Sequence, residues 1–246
     1  MYRSLYVAMT GATQMMRAQS EVAHNLANAD TVGFKAQLSA FEPLPVQGAG
    51  LATRVNGVAF GQGVDMRQGG QIDTGRELDV AVQGNGWIAV QDAQGGEAYT
   101  RAGDLRLTAD GLLTDARGNP VLGDGGPISV PQSTQMNVGA DGTISVVPTG
   151  QTPNTISAVG RIKLVNPTVD DLSLGEDGLM HLANGATASA DPTVTIKSGA
   201  LESSNVNPSQ TLVQMIQLSR QYELQVRAIK SADENAQSAS RLLQLT

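Results

Sequence analysis

The stretch EVAHNLANADTVGFK, residues 21–35, ends a periodic apolar pattern abruptly. Spacings that alternate between four and three residues over the preceding chain predict an amphipathic helix covering roughly the first 28 residues. Asn28, followed by Asp30, Thr31 and Gly33, is typical of a helix C-terminus. The stripe consists, apart from a polar break at Gln19, of Leu5, Met9, Ala12, Met16, Ala23 and Leu26.

The C-terminal part of the chain shows a second helical pattern. Asn207-Pro208-Ser209 is a start signal, and neither Gly nor Pro follows Ser209. Because an isolated helix is marginal in water, the two stripes must pack on each other or on copies from neighbouring chains. The low charge of both ends favours neighbouring chains as the partners. The residues at helical spacing are Leu212, Met215, Ile216, Tyr222, Val226, Ile229, Ala236, Leu242 and Leu243.

The region between the helices has short β-branched runs separated by Gly, Asp, Asn and Pro. Asp-Gly pairs at 110–111, 141–142 and 177–178 stand between β-prone flanks and predict hairpins with type I′ turns. The region therefore predicts an antiparallel β domain without a helix of note. Residues 36–75 are Gly-rich and predict an extended connector.

These patterns together predict an α+β fold. Long N- and C-terminal helices pack together, as in a coiled coil, beside a central antiparallel all-β domain. The predicted boundaries are an N-terminal helix over 1–35, an extended connector over 36–75, the β domain over 76–198, and a return connector with the C-terminal helix over 199–246.

The composition excludes several kinds of function. Aromatic residues make up 3% of the chain, so the core must be aliphatic, and the absence of Cys excludes disulfides and thiolate sites. His24 and His181 stand far apart without evident carboxylate partners. We expect no metal, no cofactor and no catalysis. The net charge of −7, without a basic patch interleaved with aromatics, makes nucleic acid an unsuitable partner.

One glycine-containing motif favours a plain structural interpretation. Gly84-Asn85-Gly86 follows a strand pattern and mimics a dinucleotide-binding loop, but WIAVQ continues as a strand, so we expect a hairpin turn.

No apolar run approaches the length of a membrane span, and the first residues lack the features of a cleaved signal peptide. We therefore expect no membrane insertion and an export route, if any, without a cleaved signal.

The opening stretch resembles a family signature. HNLANADTVGFK is similar to the A-N-N-L-A-N-x-x-T-x-G-F-K motif of bacterial flagellar rod and hook proteins, with His24 where the family commonly has Asn. The resemblance continues through TGRELDVAVQGNGWIAV, YTRAGDLRLTADGLLTDARGNPVLG and GALESSNVNPSQTLVQMIQLSRQYELQVRAIK. MYRSLYVAMTGA, Trp87 and AQLSAF are more similar to proximal rod members than to distal ones.

The resemblance implies a structural subunit of the flagellar basal-body rod, which crosses the periplasm. It implies export through the flagellar type III apparatus, and assembly with copies of the chain and with rod proteins such as FlgB, FlgC, FlgG and FliE. In such a hollow, torque-transmitting shaft the terminal helices form an inner tube. The expected assembly residues are Leu5, Met9, Ala12, Met16, Ala23, Asn25, Leu26, Asn28, Thr31, Gly33, Phe34, Leu212, Met215, Ile216, Tyr222, Val226, Ile229 and Leu243.

Three alternatives remain at this point. The chain could be a distal rod subunit, a monomeric β-rich module that binds glycans, or an enzyme on a β scaffold. A glycan-binding module needs exposed aromatics, and Trp87 and Tyr99 are the candidates in the β domain. An enzyme needs converging ionisable groups, which the residue spacing does not show.

Overall fold

The computed structural model describes residues 2–45, 55–150 and 155–244. The chain forms two compact units, each made of segments that are distant in sequence. Residues 1–29, 36–65 and 206–246 form what we call the helix unit, and residues 30–35 and 66–205 form the β unit. Two long helices and an antiparallel β region confirm the predicted α+β fold.

The N-terminal helix, α1, covers Tyr2–Ala27 and ends where the sequence indicates. The backbone N–H of Asn28 donates to the carbonyls of His24 and Asn25, both at 3.2 Å. The side-chain Nδ2 of Asn28 also donates to the His24 carbonyl at 2.9 Å. Asn28 thus satisfies carbonyls of the last helical turn, as a C-terminal cap does.

The C-terminal helix, α2, covers Pro208–Gln244 and begins at the predicted start signal. Asn207 Oδ1 accepts from the backbone N–H of Gln210 at 3.2 Å, and Thr211 Oγ1 donates to the Asn207 carbonyl at 2.8 Å. Pro208 occupies the first helical position, where its missing N–H leaves no bond unmade.

The cap of α2 gives a first prediction. Replacing Asn207 with alanine removes the acceptor for Gln210 and should lower the free energy of unfolding by about 1 kcal/mol. Urea denaturation of the purified chain followed by far-ultraviolet circular dichroism measures the change. Asn207→Asp, which keeps a capping oxygen, should stay close to the parent chain, and equal losses for both variants would contradict the capping role.

The two helices pack on each other within one chain. Gly11 of α1 faces the Gln225 side chain of α2, where an added Cβ would stand 3.2 Å from Cδ. Ala12 and Ala18 of α1 are buried as well. The preference for neighbouring chains as the partners of the stripes is therefore wrong in part, because each helix already covers one face of the other, as the predicted packing of the two helices requires.

The predicted connector contains paired strands. β1, Gln37–Pro45, pairs antiparallel with β2, Val55–Val64, and both strands contact α1 in the helix unit. The two strands are extended, and each forms hydrogen bonds with the other. Glycine-rich composition alone did not reveal this pairing, because it depends on a partner strand farther along the chain.

The β unit is built from short antiparallel strands around a five-stranded sheet of order β14-β5-β6-β16-β15 and a three-stranded sheet of order β11-β12-β13. Two three-residue 3-10 turns, Val169–Asp171 and Ala183–Gly185, are the helical segments described between residues 76 and 198. The strands are β3 Gln71–Asp73, β4 Val80–Gln83, β5 Trp87–Gln91, β6 Glu97–Thr100, β7 Arg106–Leu107, β8 Leu113–Thr114, β9 Leu122–Gly123, β10 Gly126–Pro127, β11 Ser133–Val138, β12 Thr143–Pro148, β13 Ser157–Arg161, β14 Leu164–Val165, β15 Leu172–Leu174, β16 Met180–Leu182, β17 Thr195–Ser198 and β18 Ala200–Glu202.

The core of the β unit is aliphatic, as the composition predicts. Val, Leu and Ile side chains from both large sheets and the small strand pairs form one buried cluster. Its fully buried members include Val82, Ile88, Val90, Leu105, Leu113, Ile144 and Ile196.

The three Asp-Gly pairs do form hairpin loops, but the predicted turn type is wrong. In each loop the glycine N–H donates to the carbonyl three residues earlier, at 2.9, 3.0 and 3.1 Å. The glycines have φ of +80°, +85° and +75°. This hydrogen-bond pattern belongs to a three-residue loop with one left-handed glycine, which needs positive φ at one position, whereas a type I′ turn needs it at two.

Gly84-Asn85-Gly86 is a turn between strands, but not a hairpin. β4 pairs with β17, whereas β5 pairs with β6 and β14, so the turn carries the chain from one sheet to another. The sequence before and after the turn does not contain this information, because the partner strands lie elsewhere in the chain. A strand follows the turn, as expected, and not the helix that a dinucleotide site requires.

The expectation that His181 has no carboxylate partner is also wrong. Its Nε2 lies 3.0 Å from Asp177 Oδ2, and its Nδ1 lies 4.0 Å from Asp92 Oδ2. The β15–β16 hairpin places Asp177 four residues before His181, and Asp92 comes from the loop between β5 and β6. His181 therefore contacts carboxylates from two loops, which fits a structural role.

Candidate assembly surface and the signature segment

One face of α1 carries exposed apolar side chains at heptad spacing. Met9 and Met16 expose 49% and 57% of their surface, and Ala23 is exposed one heptad further on. Tyr6, which the sequence reading missed, exposes 66%. Methionine adapts to irregular surfaces, so this row suits contact with another helix.

One face of α2 is also apolar and exposed. Leu212, Ile216 and Val226, all predicted assembly residues, belong to it. Val213 and Leu224 belong to it as well, at 54% and 61% exposure. Their separations from Ile216, three and eight residues, are helical spacings and were the available signal for them. Contiguous exposed apolar surface of this kind marks interaction sites in soluble proteins.

The remaining predicted residues are less accessible. In the helix unit Ala12 and Asn25 are buried, while Leu26, Asn28, Met215, Tyr222 and Ile229 are half-buried. Leu5 and Leu243 lie outside the residues whose side chains the structure describes. Thr31, Gly33 and Phe34 are half-buried in the β unit and are not placed on either helix.

Asn25 has a specific partner inside the helix unit. Its Nδ2 donates to the Gln37 carbonyl and its Oδ1 accepts from the Gln37 N–H, both at 2.9 Å. The amide side chain thus pairs with the first residue of β1 as a neighbouring strand would. These two hydrogen bonds explain why asparagine, a poor helix former, occupies this position near the end of α1.

This pairing gives a second prediction. Asn25→Ala leaves the part-buried backbone groups of Gln37 without these bonds and should lower the free energy of unfolding by about 1–2 kcal/mol. Asn25→Asp keeps an acceptor for the N–H but loses the donor, so it should fall between alanine and the parent. Thermal unfolding of the purified variants, compared with the exposed-site control Gln217→Ala, tests the order. Equal stabilities for Asn25→Ala and the parent would contradict it.

Residues 30–35 of the signature belong to the β unit. The Gly33 N–H donates to the Glu202 carbonyl at 2.8 Å. Gly33 has φ of +66°, and a Cβ at this position would overlap the backbone of Arg101 and Ala102. Only glycine fits here, because the position combines a left-handed backbone with close backbone packing.

A buried ionic cluster holds the signature lysine. Glu202 Oε1 accepts from Lys35 Nζ at 2.6 Å and from the Gly69 N–H at 3.0 Å, while Oε2 accepts from Arg101 Nη1 at 2.9 Å. Side-chain exposures are 5% for Lys35, 3% for Arg101 and 2% for Glu202. We call Lys35, Arg101 and Glu202 the carboxylate hub.

The sequence reading did not find the hub, although a signal for Glu202 was present. Ala200 and Glu202 alternate with Leu201 in β18, and alternation places both on one face of the strand. A glutamate on a buried face requires a cationic partner. The partners lie 101 and 167 residues away, which local patterns do not show.

Both aromatic candidates of the β unit are buried. Trp87 is 6% exposed and lies under the Arg101 guanidinium at 5.4 Å, and Tyr99 is fully buried. The Tyr99 hydroxyl donates to Glu97 and accepts from the Ala188 N–H, and burial raises the pKa of Tyr99. These two rings therefore cannot form the open platform that a glycan-binding module needs.

Residues 2–45, 55–150 and 155–244 offer no evident metal centre. Among them no group of three or more His, Asp or Glu residues is arranged to hold a metal ion. Within the same ranges, neither helix combines the length and the apolar character needed to cross a membrane.

Three regions of the chain match family models of known proteins. The model described as flagella basal body rod protein matches residues 5–35, and that of the flagellar hook protein FlgE/F/G D1 domain matches 81–146. The model of the flagellar basal body rod FlgEFG protein C-terminal matches 197–242. The chain belongs to the family of flagellar basal-body rod proteins, which confirms the resemblance in the sequence.

Relatives that match nearly the whole chain include proteins named FlgF and proteins named FlgG. It is 44% identical to the flagellar basal-body rod protein FlgF of Salmonella typhimurium and 43% identical to that of Escherichia coli K12, over 100% of both chains. A protein named FlgG from Buchnera aphidicola, subspecies Acyrthosiphon pisum, is 34% identical over 98% of this chain and 100% of its own. The similarity within the family is thus greater to these FlgF proteins than to this FlgG.

Proposed function

We propose that the chain is a structural subunit of the proximal flagellar rod and assembles through the exposed faces of α1 and α2. The row of exposed apolar side chains on the paired helices carries the proposal. Within the chain, α1 and α2 cover one face of each other, and the opposite faces present Met16, Ile216 and Leu224 to the surroundings. Neighbouring subunits bury such faces in a helical assembly.

The mode of assembly follows from the contact type. A face of one subunit that packs on a different face of the next gives a heterologous contact, and repeated heterologous contacts generate a helical filament. Obligate interfaces of this kind bury roughly 2,000 Å² or more. Stacked helices with apolar contacts then form a stiff, hollow shaft that transmits torque across the periplasm.

The partners in this proposal are copies of the chain, adjoining rod proteins and the flagellar type III export apparatus, which passes the chain outward without a cleaved signal. The role is structural and not enzymatic. The buried Trp87 and Tyr99 support this reading over a glycan-binding one. Higher identity to FlgF than to FlgG supports a proximal over a distal position.

The proposal is tested in the bacterium that encodes the protein. Deleting the gene should abolish swimming, and an epitope-tagged chain that restores swimming should co-purify with basal bodies. Immunogold labelling should place it at the cytoplasm-proximal end of the rod. Normal swimming of the deletion strain would overturn the structural role, and label at the distal end would overturn the proximal position.

A further inference from the structure

The segment that contains Glu202 connects parts of the β unit that are distant in sequence. The Glu202 carbonyl accepts from the Gly33 N–H, the Ser203 N–H donates to the Gly70 carbonyl at 2.7 Å, and Asn205 Nδ2 donates to the Arg67 carbonyl at 3.0 Å. Residues 200–205 therefore bind both the signature segment and the segment around residues 67–70.

Arg101 depends on this segment for its counter-charge. Beyond Glu202, its side chain contacts the neutral carbonyl of Gly84 at 2.9 Å and the Trp87 ring. A guanidinium that is 3% exposed and lacks a carboxylate is strongly unfavourable, because its lost hydration is not replaced by an opposite charge. Burial of the Arg101 side chain is thus coupled to the docking of Glu202 beside it.

Chain order makes this coupling directional. Lys35 precedes Glu202 by 167 residues and Arg101 precedes it by 101, so both cations are synthesised long before their shared carboxylate. Arg101 lies directly after β6, which belongs to the five-stranded sheet. If the Arg101 side chain is not buried, the end of β6 and the adjoining part of the five-stranded sheet are therefore not fully packed.

We infer that Glu202 closes the β unit. The carboxylate hub makes complete packing of the central sheet conditional on docking of residues 200–205, so that the β unit matures only when its C-terminal segment is in place. This inference concerns the folding of a single chain and is independent of rod assembly.

Hydrogen exchange of the purified full-length chain tests the inference. Glu202→Gln keeps the shape of the side chain and removes its charge. Exchange should become at least about tenfold faster in peptides of β5 and β6, in addition to those around residues 33–35, 67–70 and 200–205. Glu176→Gln, at an exposed position, is the matched control and should leave all peptides unchanged. Faster exchange confined to residues 33–35, 67–70 and 200–205 would overturn the inference, because the effect of Glu202 on packing would then be local.

A double substitution tests whether the unpaired charge of Arg101 causes the loss of protection. If the uncompensated guanidinium opens the sheet, adding Arg101→Met to Glu202→Gln should restore at least about tenfold of the lost protection in β5 and β6, a favourable coupling between neighbouring sites. Rescue supports the inference even if Glu202→Gln alone fails to fold. A double variant that is no better protected than Glu202→Gln would overturn it.

Discussion

A chain carrying Leu212→Asp and Ile216→Asp should fold normally and fail to build rods. Both side chains are exposed on the apolar face of α2, so the isolated chain loses little beyond helix propensity, about 0.5 kcal/mol for each residue. In an assembled rod the same positions would bury two unpaired carboxylates. A buried charge without its partner costs about 3–5 kcal/mol, which weakens association roughly a hundredfold or more.

The chain offers a matched control for this variant. Gln214 and Gln221 are exposed and, at 3.6 residues per turn, lie on the side of α2 opposite Leu212 and Ile216. Gln214→Asp with Gln221→Asp adds the same charge and should preserve swimming and the yield of basal bodies. Swimming by the Leu212/Ile216 variant at the level of the control would contradict assembly through this face.

Gly33→Val should strongly destabilise the β unit. The backbone at Gly33 has φ of +66°, which a β-branched residue adopts only with strain, and the new side chain would overlap the backbone of Arg101 and Ala102. Because Arg101 belongs to the carboxylate hub, displacement of its backbone also disturbs the buried ion pairs. We expect a loss of about 3 kcal/mol or more in the free energy of unfolding.

Comparison with a second glycine isolates the cause. Gly75 has a similar φ of +71°, but an added Cβ would meet no atom within 4 Å. Gly75→Val should therefore cost only the backbone strain, about 1–2 kcal/mol. Urea denaturation of both variants measures the difference, and equal losses would show that the packing against Arg101 and Ala102 contributes nothing.

The elements that could be predicted from sequence are those with local signals. The end of α1 at Asn28 and the start of α2 at Asn207-Pro208 depend on capping groups within a few residues. The three hairpin loops depend on single glycines that tolerate positive φ. Each of these features forms through contacts within about one turn, so a pattern in the sequence is sufficient.

The elements that were missed depend on distant partners. The pairing of β1 with β2 needs two strands that are separated along the chain, and the turn at Gly84–Gly86 joins strands whose partners include β17 and β14. The carboxylate hub joins residues separated by 101 and 167 positions. Gly33 and Lys35 of the signature segment have partners within the β unit that the local sequence pattern does not show.

The central claim is that neighbouring subunits cover the apolar faces of α1 and α2 in the rod. The chain has no Cys, so a single introduced thiol can report on it without background. Met16→Cys and Gln94→Cys, both at exposed positions, are treated with a maleimide in the purified monomer and in intact basal bodies. We predict that the Met16→Cys chain is labelled in the monomer and protected in basal bodies, whereas the Gln94→Cys chain is labelled in both. Equal labelling of the Met16→Cys chain in monomer and basal bodies would contradict the claim.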